Sequence, residues 1–187
     1  VMMRIEKVPF NLLDLIHSIY SMFIKNAQEK NIGFRISVDK DIPEMIVGDP
    51  TRLSQILRNL IHNAIKFTKK GEISVNLKLI KFTENNITLR FTVQDTGIGI
   101  PENKLQALFA PFTPGPIRPP REFGGTGLGL TIVKSLIELQ NGKLTVKSEL
   151  KKGSIFSFII KYQKYSGMEQ ATISHKVPVA IHKMDYS

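Results

Sequence analysis

Cysteine is absent from this chain of 187 residues, so no disulfide and no thiolate metal site can be built from it. That absence agrees with a reducing compartment. Long apolar runs are missing too: nothing approaches the ~20 residues that a bilayer crossing needs, and no membrane contact is expected. The opening VMMRIEKVPF has no apolar signal core, which leaves secretion without support. A chain that opens on Val reads as a piece of something longer. No internal repeat is visible. Acidic residues are in deficit, 16 against 26 lysines and arginines, for a net charge of +10. Such a balance favours anionic partners, whether nucleic acid, acidic lipid or a polyphosphate. The positive charge is scattered, however, with Lys69–Lys70 and Lys151–Lys152 the longest basic runs and no aromatics interleaved. Solvated surface lysines are the plainer reading, and no nucleic-acid partner is expected.

What is present is ordinary globular composition, 42% hydrophobic and 22% charged, enough for one domain with a real core. Residues 11–30 carry apolar side chains at helical spacing, with Asn11 as the N-cap. FRISV (34–38) alternates as a strand does. A second amphipathic helix runs from Pro50 to Thr68, started by Asp49 or Pro50 and followed by Gly71. EISVNLKLIKF and ITLRFTVQD then alternate about a turn at 84–86, the pattern of a β-hairpin. A Gly- and Pro-rich loop leads to a third helix over roughly 128–140, stopped by Asn141–Gly142. KLTVKSEL and SIFSFIIKY pair across 151–153. Periodicity fades after Tyr165, so 1–165 is expected to be the domain and 166–187 a tail or interdomain linker. This order predicts an α+β two-layer sandwich, a mixed and mainly antiparallel sheet with three helices on one face, not a doubly wound parallel sheet.

Three stretches could carry chemistry. On the second helix Asn59, Asn63 and Lys66 fall on one stripe beside the apolar face. Asparagine competes for backbone hydrogen bonds in a helix interior, so two stacked asparagines ask for a reason. DTGIGI (95–100) follows a strand directly. Its Asp95 could accept hydrogen bonds from an exocyclic amine, and Gly97 and Gly99 let a backbone approach a flat ligand, although an Asp/Gly turn is common in itself. GGTGLGL (124–130) precedes the third helix, where the amides of Gly125, Gly127 and Gly129 could meet phosphate oxygens. It is built like a phosphate-binding loop but has Leu130 where GxxxxGK[ST] needs lysine. PIRPPR (116–121) matches an SH3 ligand pattern, a short match that accident easily supplies.

Taken in order, these stretches resemble one family: the ATP-binding catalytic domain of sensor histidine kinases, in the GHKL ATPase superfamily. RNLIHNAIKFT is similar to its N box, DTGIGI to its G1 box, LFAPF to its F box and GGTGLGL to its G2 box, over about residues 5–163. The opening segment resembles that of hybrid-type kinases, which carry receiver domains. The resemblance implies a GHKL-type sandwich that binds ATP and Mg²⁺ and donates the γ-phosphate to a histidine. Asp95 would take the adenine amine, with Gly97, Ile98, Gly99 and Ile100 around the base. Asn63, helped by Asn59, would hold Mg²⁺, and Lys66 would supply the cation that the loop lacks. Phe112 of the F box, Arg121, Gly125, Thr126, Gly127, Leu128, Gly129, Leu130 and Ser154 complete the implied nucleotide site, beneath a lid over about 101–126. The family's phosphoacceptor motif is absent, since none of His17, His62, His175 and His182 has its context. The implied partners are therefore a separate histidine-bearing dimerisation domain and a response regulator or receiver domain. The fragment would be monomeric and the full protein a homodimer, in the cytoplasm or anchored in the inner membrane. Two alternatives stay open. A hydrolytic relative would carry a water-activating glutamate where this chain has Asn59, and an amide cannot act as a base. A GHKL-type module with degenerate catalysis would act by interaction, and the crowding of prolines in the lid keeps that reading alive.

Overall fold

The computed structural model describes residues 4–108 and 127–167, with the backbone alone at 107, 108, 127 and 128. In chain order the elements are β1 (Val8–Asn11), α1 (Leu12–Glu29), β2 (Gly33–Val38), β3 (Met45–Gly48), α2 (Pro50–Phe67), β4 (Glu72–Phe82), β5 (Asn86–Asp95), α3 (Glu102–Leu108), α4 (Gly127–Leu139), β6 (Lys143–Glu149) and β7 (Gly153–Lys164).

Local chemistry sets the helix ends. Asn11 caps α1, its Oδ1 accepting the Asp14 amide at 3.0 Å. Asp49 caps α2 through Oδ1, which accepts the Arg52 amide at 3.0 Å, and Pro50 follows at the first helical position. The other oxygen of Asp49 accepts the Glu6 amide at 2.9 Å, so one buried carboxylate starts the helix and ties down the N-terminal segment. After α4 the chain leaves through Asn141 at φ 58°, a left-handed turn that asparagine tolerates.

The sheet runs β1-β3-β7-β5-β4-β2, with β6 also on β7. Among the described residues only β2 and β4 pair in parallel; the other pairs are antiparallel. β7 pairs with β5 along one edge and shares its other edge between β6 and the end of β3. Alternate residues of the central strands face the helices: Ile87, Leu89, Phe91 and Val93 on β5, and Phe156, Phe158, Ile160 and Tyr162 on β7. Phe91 and Phe158 are register partners and stack with ring centroids 4.7 Å apart. α2 lies between α1 and α4 and buries Leu53, Ile56, Leu60, Ile61 and Ala64 in the same core.

The α+β sandwich with a mixed, mainly antiparallel sheet is as expected. Two strands and one helix are additional. β1 and β3 are four residues each, too short for periodicity to register, and β3 meets β7 at only two positions. α3 has seven residues and falls in the expected lid range, whose residues 109–126 lie outside the described residues, as do 168–187.

Candidate functional site

α2, the end of β5 and the start of β7 meet in a narrow cleft. Asn63, Ala64, Phe67, Asp95, Gly99, Ile100, Leu130, Ser154 and Phe156 line it. Asp95 ends β5 opposite Ser154 on β7, and both are buried although both are polar. Its Oδ1 accepts the Gly97 amide at 2.9 Å. Burial pushes the Asp95 carboxyl above its ordinary value, while the backbone amides of Gly97 and Ser154 pull the other way. A buried acceptor in the wall of a mostly apolar slot is suited to a flat ligand with an N–H donor.

Why the loop after β5 needs glycine is visible in its neighbours. A Cβ on Gly97 would stand 2.4 Å from the Phe67 carbonyl oxygen at the end of α2. Gly99 has φ +74°, and a Cβ there would stand 2.1 Å from the Glu149 carbonyl oxygen. Between them Ile98 donates its amide to the Phe67 oxygen at 3.2 Å and accepts the Lys151 amide at 2.8 Å. The glycines thus let the loop wedge between α2 and the β6–β7 turn. The sequence offers ligand approach or an ordinary Asp/Gly turn for these glycines; the close fit against α2 and the β6–β7 turn is a tertiary demand that no local pattern carries.

Of the expected site residues, the fold brings Asn63, Asp95, Gly99, Ile100, Leu130 and Ser154 to the cleft. Gly97 sits directly behind Asp95, whereas Ile98 turns its side chain outward and is 42% exposed. Asn59 and Lys66 share a stripe of α2 with Asn63 but do not line the cleft; the Lys66 ammonium lies 5.8 Å from the centroid of the Phe67 ring. Gly127 and Leu128 open α4, with Gly129 half-buried in its first turn. Phe112, Arg121, Gly125 and Thr126 lie outside the described residues. Among the described residues no group of three His, Cys, Asp or Glu side chains could hold a metal. The oxygen donors at this position are the half-buried amides of Asn59 and Asn63, and uncharged oxygen suits Mg²⁺, which keeps much of its water shell.

Four contributors escaped the sequence reading. Ala64, Phe67 and Phe156 line the cleft but look like core residues in any periodicity plot. Ser148 joins the walls: its hydroxyl accepts the Ile100 amide at 2.7 Å, donates to the Gly153 carbonyl at 3.0 Å and lies 2.7 Å from the Ser154 hydroxyl. The serine pair follows from the β6–β7 register, which no local pattern reveals.

Comparison with known proteins bears on this arrangement. Residues 48–164 match the model of the histidine kinase-, DNA gyrase B- and HSP90-like ATPase family. The autoinducer 2 sensor kinase/phosphatase LuxQ of Vibrio vulnificus is 42% identical over 177 residues, which is 94% of this chain and 20% of that protein. The chain spans about a fifth of the length of such curated relatives. Among solved structures, full-length ShkA in complex with AMPPNP superposes with a TM-score of 0.73 at 28% identity, over 88% of this chain and 33% of that one. The histidine kinase ThkA in complex with the response regulator TrrA gives 0.60 at 28% identity, over 84% of this chain and 42% of that one.

Proposed function

The chain belongs to the histidine kinase-, DNA gyrase B- and HSP90-like ATPase family, and from that premise we propose that residues 1–165 are the ATP-binding catalytic domain of a sensor histidine kinase. Buried Asp95 at the floor of the cleft carries the reading. Its carboxylate accepts the exocyclic amine of adenine, while the Gly97 amide holds it in orientation. Ala64, Phe67, Ile100 and Phe156 offer apolar surface to the two faces of the base. The cleft is only about 30 Å³ between its described walls, so a purine enters as Leu130 on α4 and the loop at Ile100 part. Ile98 and Ser154 belong to the site through the loop backbone and through the hydroxyl beside Asp95.

Towards the phosphates, Asn63 with Asn59 would hold Mg²⁺ through amide oxygens, and Lys66 adds positive charge on the same helix face. Mg²⁺ held there would supply positive charge against the phosphates of the nucleotide. The amides of Gly125, Gly127 and Gly129 would donate to the phosphate chain at the start of α4, and Thr126, Leu128, Phe112 and Arg121 would complete the nucleotide site. The neutral imidazole of a histidine on a separate dimerisation domain attacks the γ-phosphorus in line. The bond to the bridging oxygen breaks, ADP leaves with the electron pair, and no strong general base is required. An ATP analogue in ShkA and a response regulator beside ThkA, both histidine-kinase structures of the same fold, support a nucleotide site and a downstream receiver partner. The full protein acts as a homodimer with this catalytic part on the cytoplasmic side, and residues 166–187 are a tail or interdomain linker outside the catalytic domain.

Calorimetric titration with Mg²⁺–ATP tests this. The wild-type chain binds; Asp95→Asn loses a charged hydrogen bond worth ~1.5–3 kcal/mol and weakens binding about 10- to 150-fold. Asn63→Ala abolishes the dependence of affinity on Mg²⁺. Absence of heat, and of competition with a fluorescent ATP analogue, would leave an interaction module with a lost nucleotide site.

A further inference from the structure

The sheet face turned away from the helices carries its own pattern. Lys78 on β4 stands opposite Arg90 on β5, Arg90 opposite Ile159 on β7, and Ile159 opposite Lys143 on β6. One register row across four strands therefore holds three cations. Lys161 and Lys147 project from the same face, beyond and before that row on β7 and β6. All five are exposed, and none is in an ion pair among the described residues. The acidic side chains of this face are already engaged: Glu72 with Arg35 at 3.0 Å and Glu149 with Lys152 at 2.9 Å. Like charges directly opposite each other destabilise a sheet, so the Lys78–Arg90 pair is a standing cost to the isolated domain.

Beside this row the face is polar and recessed. Asn76, Thr92, Ser157 and Thr145 form the next register row, with the Thr92 and Ser157 hydroxyls 3.2 Å apart. A cleft of about 360 Å³ opens among Ser37, Ser74, Asn76, Gln94, Thr96 and the Arg35–Glu72 ion pair. Its edge buries the Arg35 Nε without a hydrogen-bond partner.

We propose that this helix-free face docks an acidic segment of a partner protein. Carboxylates of the partner lie along the Lys78–Arg90–Lys143 row, and its neighbouring polar side chains enter the cleft beside Asn76. Charge complementarity selects the partner: five uncompensated cations and no free acid on the face. These rows hold no aromatic ring on which single-stranded nucleic acid could stack. A recess lined by hydroxyls and amides, with the Arg35–Glu72 ion pair among them, fits a peptide's side chains better than the flat surface of a bilayer. The face lies on the opposite side of the sheet from Asp95, so the inference stands independently of nucleotide binding.

The test uses the whole chain and a fluorescein-labelled peptide of alternating glutamate and serine, read by anisotropy. The variant Lys78→Glu/Arg90→Glu/Lys143→Glu is compared with Lys25→Glu/Lys40→Glu/Lys69→Glu, which changes the net charge equally at exposed positions outside this face. The face variant should lose at least about tenfold in affinity and the control less than about threefold, with Mg²⁺–ATP titration the same in both. Equal losses would mean that net charge alone steers the peptide, and the proposal falls. It falls also if the wild type ignores the peptide, or if anionic vesicles or oligothymidylate bind the same row more tightly. The single variant Lys78→Glu guards against misfolding. It converts a repulsive cross-strand pair into an attractive one, and should raise Tm by up to about 4 °C while weakening the peptide. A lowered Tm would overturn the account of strain.

Discussion

A carboxylate placed where burial raises its pKa marks a residue kept for something other than stability. The folded chain holds the Asp95 proton to higher pH than the unfolded chain does, so stability falls as pH rises from the ordinary value of 3.8 through the raised one. Below 3.8 both states are protonated and the penalty vanishes. Asp95→Asn keeps an oxygen for the Gly97 amide and removes the charge. Thermal melts at neutral pH should therefore show the variant more stable than the wild type, with the gap closing as pH falls, although ATP binds it less well. A variant less stable at neutral pH would assign Asp95 to the fold instead. Nucleotide affinity of the wild type should also decline on acidification at a higher pH than an ordinary aspartate would give. Tyr162 offers a contrast. Its hydroxyl is buried without a partner, and burial together with the nearby Asp49 charge pushes its pKa up. The ring is needed, since it packs edge-on to Phe10 and Phe91, but the hydroxyl is not. Tyr162→Phe should gain about 1 kcal/mol in urea denaturation, with nucleotide binding unaltered.

At the scale of elements, legibility followed length and locality. The caps Asn11 and Asp49 and the stop at 141–142 were readable because a helix end is decided by two or three neighbouring residues. β1 and β3 were not, because a four-residue strand is defined by its partner rather than by its own pattern. The site divides in the same way. Asn63, Asp95 and Ser154 each stood out or were implied within a local motif, whereas Ser148 acquires its role only when β6 pairs with β7 and brings it against Ser154. The loop after β5 is where local and tertiary demands coincide. At Gly99 a side chain meets two obstacles together, a left-handed backbone and a carbonyl oxygen 2.1 Å away that belongs to another element's backbone. Neither can yield cheaply. Gly99→Ala should lose about 1–3 kcal/mol of stability by urea denaturation, and ATP affinity should fall with it, because the same loop carries Ile100 into the cleft. An alanine variant of full stability and affinity would show that the loop is not held by the β6–β7 turn.

For the molecule as a whole, the cleft is assembled from parts far apart in the chain. Asn63 comes from α2, Asp95 from β5, Leu130 from α4 and Ser154 from β7. β7 also pairs with β3, β5 and β6, so the strand that carries Ser154 is the one through which most of the sheet is joined. A ligand in that cleft touches one cooperative unit, not a detachable loop, and its binding energy should appear as global stability. At a nucleotide concentration of about 100 Kd, mass action adds ~2.7 kcal/mol. The matching rise in Tm should be the same by far-UV circular dichroism, which reports the backbone, and by near-UV signals from Tyr20 and Tyr162, which sit on opposite flanks of the core. Tyr20 stacks on Phe34 of β2, at one edge of the sheet, and Tyr162 packs near β1 at the other. Coincident shifts follow if nucleotide and fold are coupled through β7. A rise confined to one probe would mean that the half bearing α1 and β2 melts apart from the site, and that the nucleotide stabilises only the walls it touches.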